Sequence, residues 1–183
     1  NPTDIFVRTY DKKKEFTKSF AFRMKTDSET KLTRNTGFHE RTSKLTRNFV
    51  DARGFWLPND YTKHGIINEH TACREKAVVI DLSSLRKFEI LGPDAEELMN
   101  YTLTRNVKKL SVGQVVYSSM CYENGTMFDD GTLLKLSDHG FRWICGDEYA
   151  GQWLKEQAKK KNYKVLIKDS TDQINNISLQ GPN

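Results

Sequence analysis

The sequence is short of the residues that build covalent or metal-held scaffolds. Its 183 residues include three cysteines, Cys73, Cys121 and Cys145, widely spaced and without a CxxC pair. An odd count at that spacing argues against a disulfide framework and for a reducing compartment, so buried or half-buried thiols in a cytoplasmic protein are expected. The four histidines (His39, His64, His70, His139) are scattered. His64 and His70, six apart, do not share a helical face, and no metal centre is expected. No apolar run approaches the ~20 residues of a membrane span. The opening stretch NPTDIFVRTYDKKKEF lacks the apolar core of a secretory signal, so neither membrane insertion nor export is expected. Phosphate-loop, dinucleotide, GxSxG and HExxH patterns are all missing.

What is present is an ordinary globular composition, 37% hydrophobic and 29% charged, enough for one large domain or two small ones. The net charge of +5 is uneven. Residues 1–50 carry 12 Lys+Arg against 6 Asp+Glu, and residues 51–183 carry 17 against 18. The basic character belongs to the N-terminal segment. A nucleic-acid arm is one reading of such a segment. Acids are mixed in, however, and Phe16, Phe20 and Phe22 serve packing as readily as base stacking. A solvated, partly ordered extension is expected over residues 1–35, with no nucleic-acid partner.

Along the chain, SFAFRMK alternates as one strand, and RNTGFHERTSKLT reads as a loop with short turns. DARGFWLPNDY reads as an ordered loop anchored by Phe55 and Trp56. From Thr62 the spacing predicts a helix with Ile66, Cys73, Ile67 and Ala77 toward one side. VVIDLSS and KFEILG predict strands, with Asp81 and Ser83 forming a turn at a strand end. PDAEELMNYTL predicts a helix with Pro93 at its first turn and acids near its N-terminus. SVGQVVYSSMCY is a strand, ENGT a turn, and GTLLKLSDHGFRWIC a hairpin turning at 137–140. DEYAGQWLKEQAKKKN is an amphipathic helix with Tyr149, Trp153, Leu154 and Ala158 inside. YKVLIKD and NISLQG close with strands. The fold class expected is α+β, with mixed or antiparallel sheets and packed helices. The end, LQGPN, follows an apolar strand directly, and a longer protein is expected.

Within ENGTMFDDG, Asp129 and Asp130 stand side by side where the chain enters a strand. Asp residues often bond backbone N–H groups around turns, which suits one acid better than two. On a strand, neighbours face opposite sides, so the two acids are expected to face different ways.

Three stretches carry a resemblance: DLSSLRKFEILGPDAEELMN, VGQVVYSSMCYENGTMFDDG and LQGP. In this order, with GFWLPNDY and EHTACREKAVVIDLS upstream, residues 36–183 resemble the N-terminal part of the aminomethyltransferase family. That family includes the glycine-cleavage T-protein and the folate domains of sarcosine- and dimethylglycine-oxidising enzymes and folate-dependent demethylases. Residues 1–35 lie outside the resemblance. The sequence departs from the family at Ser84–Leu85, where a His–Met pair is common, at Thr126 in place of a glycine, and at Leu134 in place of a tyrosine.

The resemblance implies tetrahydrofolate as cofactor and transfer of a one-carbon group, aminomethyl, methylene or methyl, from a small amine-type donor. It implies that Asp130 faces the pterin as the catalytic carboxylate, and that Tyr117, Leu85 and Trp143 line the cofactor. A fixed carboxylate in a dry site stabilises developing positive charge and accepts a proton. Asp129 is expected to be structural. For Tyr117 a half-buried strand aromatic is the equal alternative; for Leu85 and Trp143 core packing is the stronger one. The family also draws on a tyrosine, an acid and an arginine from the half after Q-G-P. The donor stays open, as does its delivery as a free small molecule, by a carrier protein or by a flavoprotein subunit. Two other readings stay open: a non-catalytic folate-binding module serving an amine-oxidising partner, and a basic interaction protein.

Overall fold

The computed structural model describes residues 19–22 and 31–183. The extension expected over 1–35 falls outside them except for 19–22 and 31–35. The chain forms two compact units, Asn1–Ser84 with Asn175–Asn183, and Leu85–Ile174. Each is α+β.

The first unit contains β1 (Ser19–Phe22), β2 (Lys31–Asn35), the one-turn helix α1 (His39–Thr42), β3 (Phe49–Ala52), β4 (Phe55–Pro58), α2 (Gly65–Glu75) and β5 (Val78–Asp81). Four strands form a sheet in the order β1-β2-β4-β3, with β2 parallel to β4 and the other pairs antiparallel. The stretch expected as an anchored loop is therefore the β3–β4 hairpin. Its turn is Arg53–Gly54, both at positive φ (54° and 83°). That is the geometry that matches strand twist, and the Arg–Gly dipeptide is not its usual signature. Asp51 secures it by accepting from Gly54 N at 2.9 Å and Thr33 Oγ1 at 2.8 Å. Phe55 and Trp56 are buried, as expected of anchors. One helical turn at α1 replaces the loop expected there.

Helix α2 forms where expected, but none of its residues is buried, and Ile66 and Ile67 are 70% and 81% exposed. Its apolar spacing is real; within this unit the described residues do not cover it. Asp81 and Ser83 do make the expected turn, Ser83 N donating to Asp81 Oδ1 at 2.9 Å. Thr36 Oγ1 donates to the other oxygen at 2.6 Å.

The second unit contains β6 (Arg86–Leu91), α3 (Ala95–Thr102), a 3-10 turn (Val107–Lys109), β7 (Val115–Cys121), β8 (Met127–Ser137), β9 (Gly140–Cys145), α4 (Tyr149–Lys161) and β10 (Leu166–Asp169). The chain then returns to the first unit as β11 (Ile177–Gln180), antiparallel to β5. The second unit's sheet is antiparallel throughout, in the order β10-β6-β9-β8-β7. Its core joins Ile90 of β6, Leu98 and Met99 of α3, Met120 of β7, Leu133 of β8 and Leu154 of α4, all fully buried. Burying aliphatic and aromatic side chains of this size is the main stabilising term, roughly 1.5–3 kcal/mol each.

The helix ends follow the dipole. Glu96 and Glu97 occupy the first turn of α3 and pair with Lys135 and Lys108. Lys159, Lys160 and Lys161 occupy the last turn of α4, which stops at Asn162 in the left-handed region (φ 55°). Helix α4 meets the sheet through Gly151, where an added Cβ would collide with the Phe88 ring. Gly151→Ala is therefore expected to destabilise the protein by about 1–3 kcal/mol through overpacking, although alanine is the better helix former. Urea unfolding of the variant checks this.

Candidate active site

The β7–β8 hairpin turns through ENGT, closed by Gly125 N→Tyr122 O and Tyr122 N→Thr126 O, each 2.9 Å. Gly125 takes φ 84°, where a side chain is strained. Beyond the turn, Cys121 pairs with Met127 but Met120 pairs with Asp129, so Phe128 is an extra residue at a bulge. Its ring packs against Tyr122, Tyr149 and Trp153, with centroids 4.7–5.6 Å apart. From Asp129 on, the register is regular: Asp130 opposes Ser119, Gly131 opposes Ser118 and Thr132 opposes Tyr117.

Alternation then sorts the two faces. Met120, Ser118, Asp129, Gly131 and Leu133 are buried on the core side. Tyr117, Ser119, Asp130 and Thr132 lie on the other side, half-buried or exposed. Gly131 has a packing reason. A Cβ there would strike the Ile144 carbonyl and press on the Trp143 ring.

Asp129, 8% exposed, accepts from three backbone N–H groups: Asp130 at 2.9 Å, Asp147 at 3.1 Å and Gly146 at 3.3 Å. These donors let a carboxylate stay buried, and they tie β8 to the loop after β9. Beside it, burial and then the Asp129 charge push the Cys145 thiol above its ordinary range, so it is protonated and unreactive.

Asp130 has a different environment. Its Oδ2 accepts the hydroxyl of Tyr117, its diagonal cross-strand neighbour. Tyr117 is 59% exposed, so the aromatic ring and the carboxylate present themselves together on the open face.

The other two candidates are elsewhere. Trp143 is completely buried, opposite Leu133 and Phe88 in the core, with its indole N–H unpartnered. A ring with no exposed surface is packing, not a pocket wall. Leu85 is half-buried ahead of β6, and its carbonyl accepts Lys87 Nζ at 2.8 Å. The structure thus joins Tyr117 with Asp130 and leaves Leu85 and Trp143 apart from them. Sequence reasoning passed over residues 103–105, which lie along β7 beside Tyr117. They carry no motif, and only the pairing of β7 reveals them. Among the described residues no cluster of three or more His, Cys, Asp or Glu side chains could hold a metal ion. None of the described helices is long and apolar enough to cross a membrane.

Residues 38–183 match the GCVT N-terminal domain family. The chain belongs to that family. Over 182 residues, all of this chain, it is 53% identical to a trimethylamine-oxide aldolase of Ruegeria pomeroyi and spans 23% of that protein. It is 33% identical over 156 residues to an aminomethyltransferase of Symbiobacterium thermophilum, covering 81% of this chain and 40% of the relative. Among solved structures, the glycine cleavage system aminomethyltransferase T of Bartonella henselae matches with a TM-score of 0.68 at 25% identity, over 81% of this chain and 41% of that one. The chain therefore spans well under half the length of these relatives. The fold is that of the T-protein neighbour over the matched part, in agreement with the α+β expectation.

The two acids should respond unequally to truncation. Asp129→Ala leaves backbone N–H groups unpaired and is expected to cost about 2–3 kcal/mol of stability. Asp130→Ala, on the open face, is expected to change stability by less than about 0.5 kcal/mol. Chemical denaturation of both variants makes the comparison.

Proposed function

We propose that this chain supplies the catalytic carboxylate of a tetrahydrofolate-dependent one-carbon transfer enzyme acting on a small amine-type donor. The observation that carries the reading is the Tyr117–Asp130 pair on the open face of the β7–β8 hairpin, in a member of the GCVT N-terminal domain family. Two features of the pair suit a flat, hydrogen-bonding heterocycle. Tyr117 offers an exposed aromatic face for stacking. Asp130 offers a carboxylate that accepts N–H donors.

Bound tetrahydrofolate supplies the nucleophilic nitrogen that takes up the one-carbon unit. The protein's own groups do the rest. The Asp130 carboxylate faces the positive charge that develops on the transferred carbon and stabilises it electrostatically. It is also the acceptor for the proton released as the new C–N bond forms, while the bond from that carbon to the donor nitrogen breaks and the donor leaves as the amine. Tyr117 holds one Asp130 oxygen by its O–H, which leaves the other available to a ligand. Asp129 ties the same strand to the loop after β9.

Within the amine class, the relative named for trimethylamine oxide favours a methylated amine or amine oxide as donor, arriving as a free small molecule. The free cysteines Cys73, Cys121 and Cys145 support a reducing, cytoplasmic setting.

The test is Asp130→Asn, assayed for turnover with tetrahydrofolate and trimethylamine oxide as donor. Turnover is expected to fall at least ~100-fold, the scale of a removed general acid/base, with folate affinity retained. Near-normal turnover would sink the mechanism. Folate binding without turnover in the unaltered protein would favour a non-catalytic folate module.

A further inference from the structure

The two partners of the Tyr117–Asp130 contact are not equally supported. Asp130 is on β8, an inner strand paired with β7 at Ser119 and joined to β9 from the next residue, Gly131, whereas Tyr117 is on β7, the edge of the sheet. An edge strand leaves one row of backbone groups open. Here residues 103–105 close that row at the point where Tyr117 sits. Leu103 bridges to Met120. Thr104 N donates to Ser119 O at 3.1 Å. Arg105 N donates to the buried Ser118 Oγ at 3.2 Å, and Arg105 Nε donates to Tyr117 O at 3.3 Å.

The last of these bonds is made by a side chain for a reason. After Arg105 the chain leaves the edge, and Val107 N is taken by Asn100 Oδ1 at 2.9 Å as the 3-10 turn begins. The guanidinium continues the ladder where backbone donors end. In this unit Arg86 pairs with Glu148 and Arg142 with Glu89. Arg105 has no carboxylate partner among the described residues, so its side chain is directed by the Tyr117 carbonyl alone.

We propose that Arg105 is a positioning residue for the Tyr117–Asp130 pair, acting through the Tyr117 carbonyl. The proposal rests on that pair being the reaction centre. Tyr117 reaches Asp130 diagonally across the hairpin, so a small shift of the edge strand at Tyr117 breaks the contact. Misplacement of about 1 Å can cost up to ~100-fold in rate.

The experiment is a kinetic cycle in the protein at its natural length, using Arg105→Ala, Tyr117→Phe and the double variant. Arg105→Ala is expected to lower kcat about 10-fold with the folate KM within about 2-fold of wild type. Added to Tyr117→Phe it is expected to lower kcat no further, because the hydroxyl it places is already gone. The acid limb of the kcat–pH profile is expected to move in the same direction in both single variants. Full additivity, or a wild-type kcat and pH profile in Arg105→Ala, overturns the proposal. Should Arg105→Ala fail to fold, Arg105→Gln keeps a side-chain donor without the charge. It is expected to retain at least half of turnover, and a loss of about 10-fold there overturns a role as donor. Near-normal turnover in Asp130→Asn removes the reaction-centre reading itself, and this is visible separately from the additivity pattern.

Discussion

Asp129 is a carboxylate that the core of the second unit accepts only because three backbone N–H groups close around it. Those bonds fix which way β8 presents its side chains. With Asp129 inward, Asp130 is outward. With Gly131 inward, the strand can pass close to the Ile144 carbonyl and the Trp143 ring. The open-face arrangement of Tyr117 and Asp130 is thus a consequence of how the buried neighbour is satisfied. An acid on the open face is oriented by one that is buried.

The arrangement also divides labour between centre and edge. Strand β8 lies between two partners, β7 and β9, and is held by pairing. Strand β7 is at the edge and exposes Tyr117. Exposure and precision conflict at an edge, and residues 103–105 reconcile them by supplying donors without covering the ring. The aromatic group of Tyr122, Phe128, Tyr149 and Trp153 seals the other end of the hairpin beside the bulge.

Much of this was legible in the residues. The strands of the second unit, both of its helices and the turn at ENGT follow from periodicity, Gly placement and charge at helix ends. The inward–outward split of Asp129 and Asp130 follows from strand alternation. Elsewhere local pattern misled. Arg53–Gly54 makes a tight hairpin without the Asn–Gly or Asp–Gly pair that announces one, so β3 and β4 read as a loop. The apolar spacing of α2 marks a helix correctly but says nothing about what covers it. Trp143 and Leu85 looked eligible because residue type does not reveal which sheet face is filled, and for Trp143 the answer is the core. Arg105 was silent because its contact is with a backbone carbonyl of another strand, a relation that no sequence pattern encodes.

The bulge at Phe128 bears on how this hairpin can change over evolutionary time. Two residues of β8 answer one of β7 at that point, and everything downstream is counted from there. Removing that single extra residue while the Cys121–Met127 pairing holds would leave Asp129 opposite Met120 and Asp130 opposite Ser119, whereas a one-residue slip of β8 against β7 would exchange the stations of the two acids. Asp130 would turn toward the donors now used by Asp129, and Asp129 toward the open face. Length change between Met120 and Asp129 is therefore tolerated where the turn or the bulge absorbs it and the pairing of Met120 with Asp129 is kept, whereas Glu123 and Asn124 at the exposed tip can vary in kind. The hairpin is permissive in composition and strict in register.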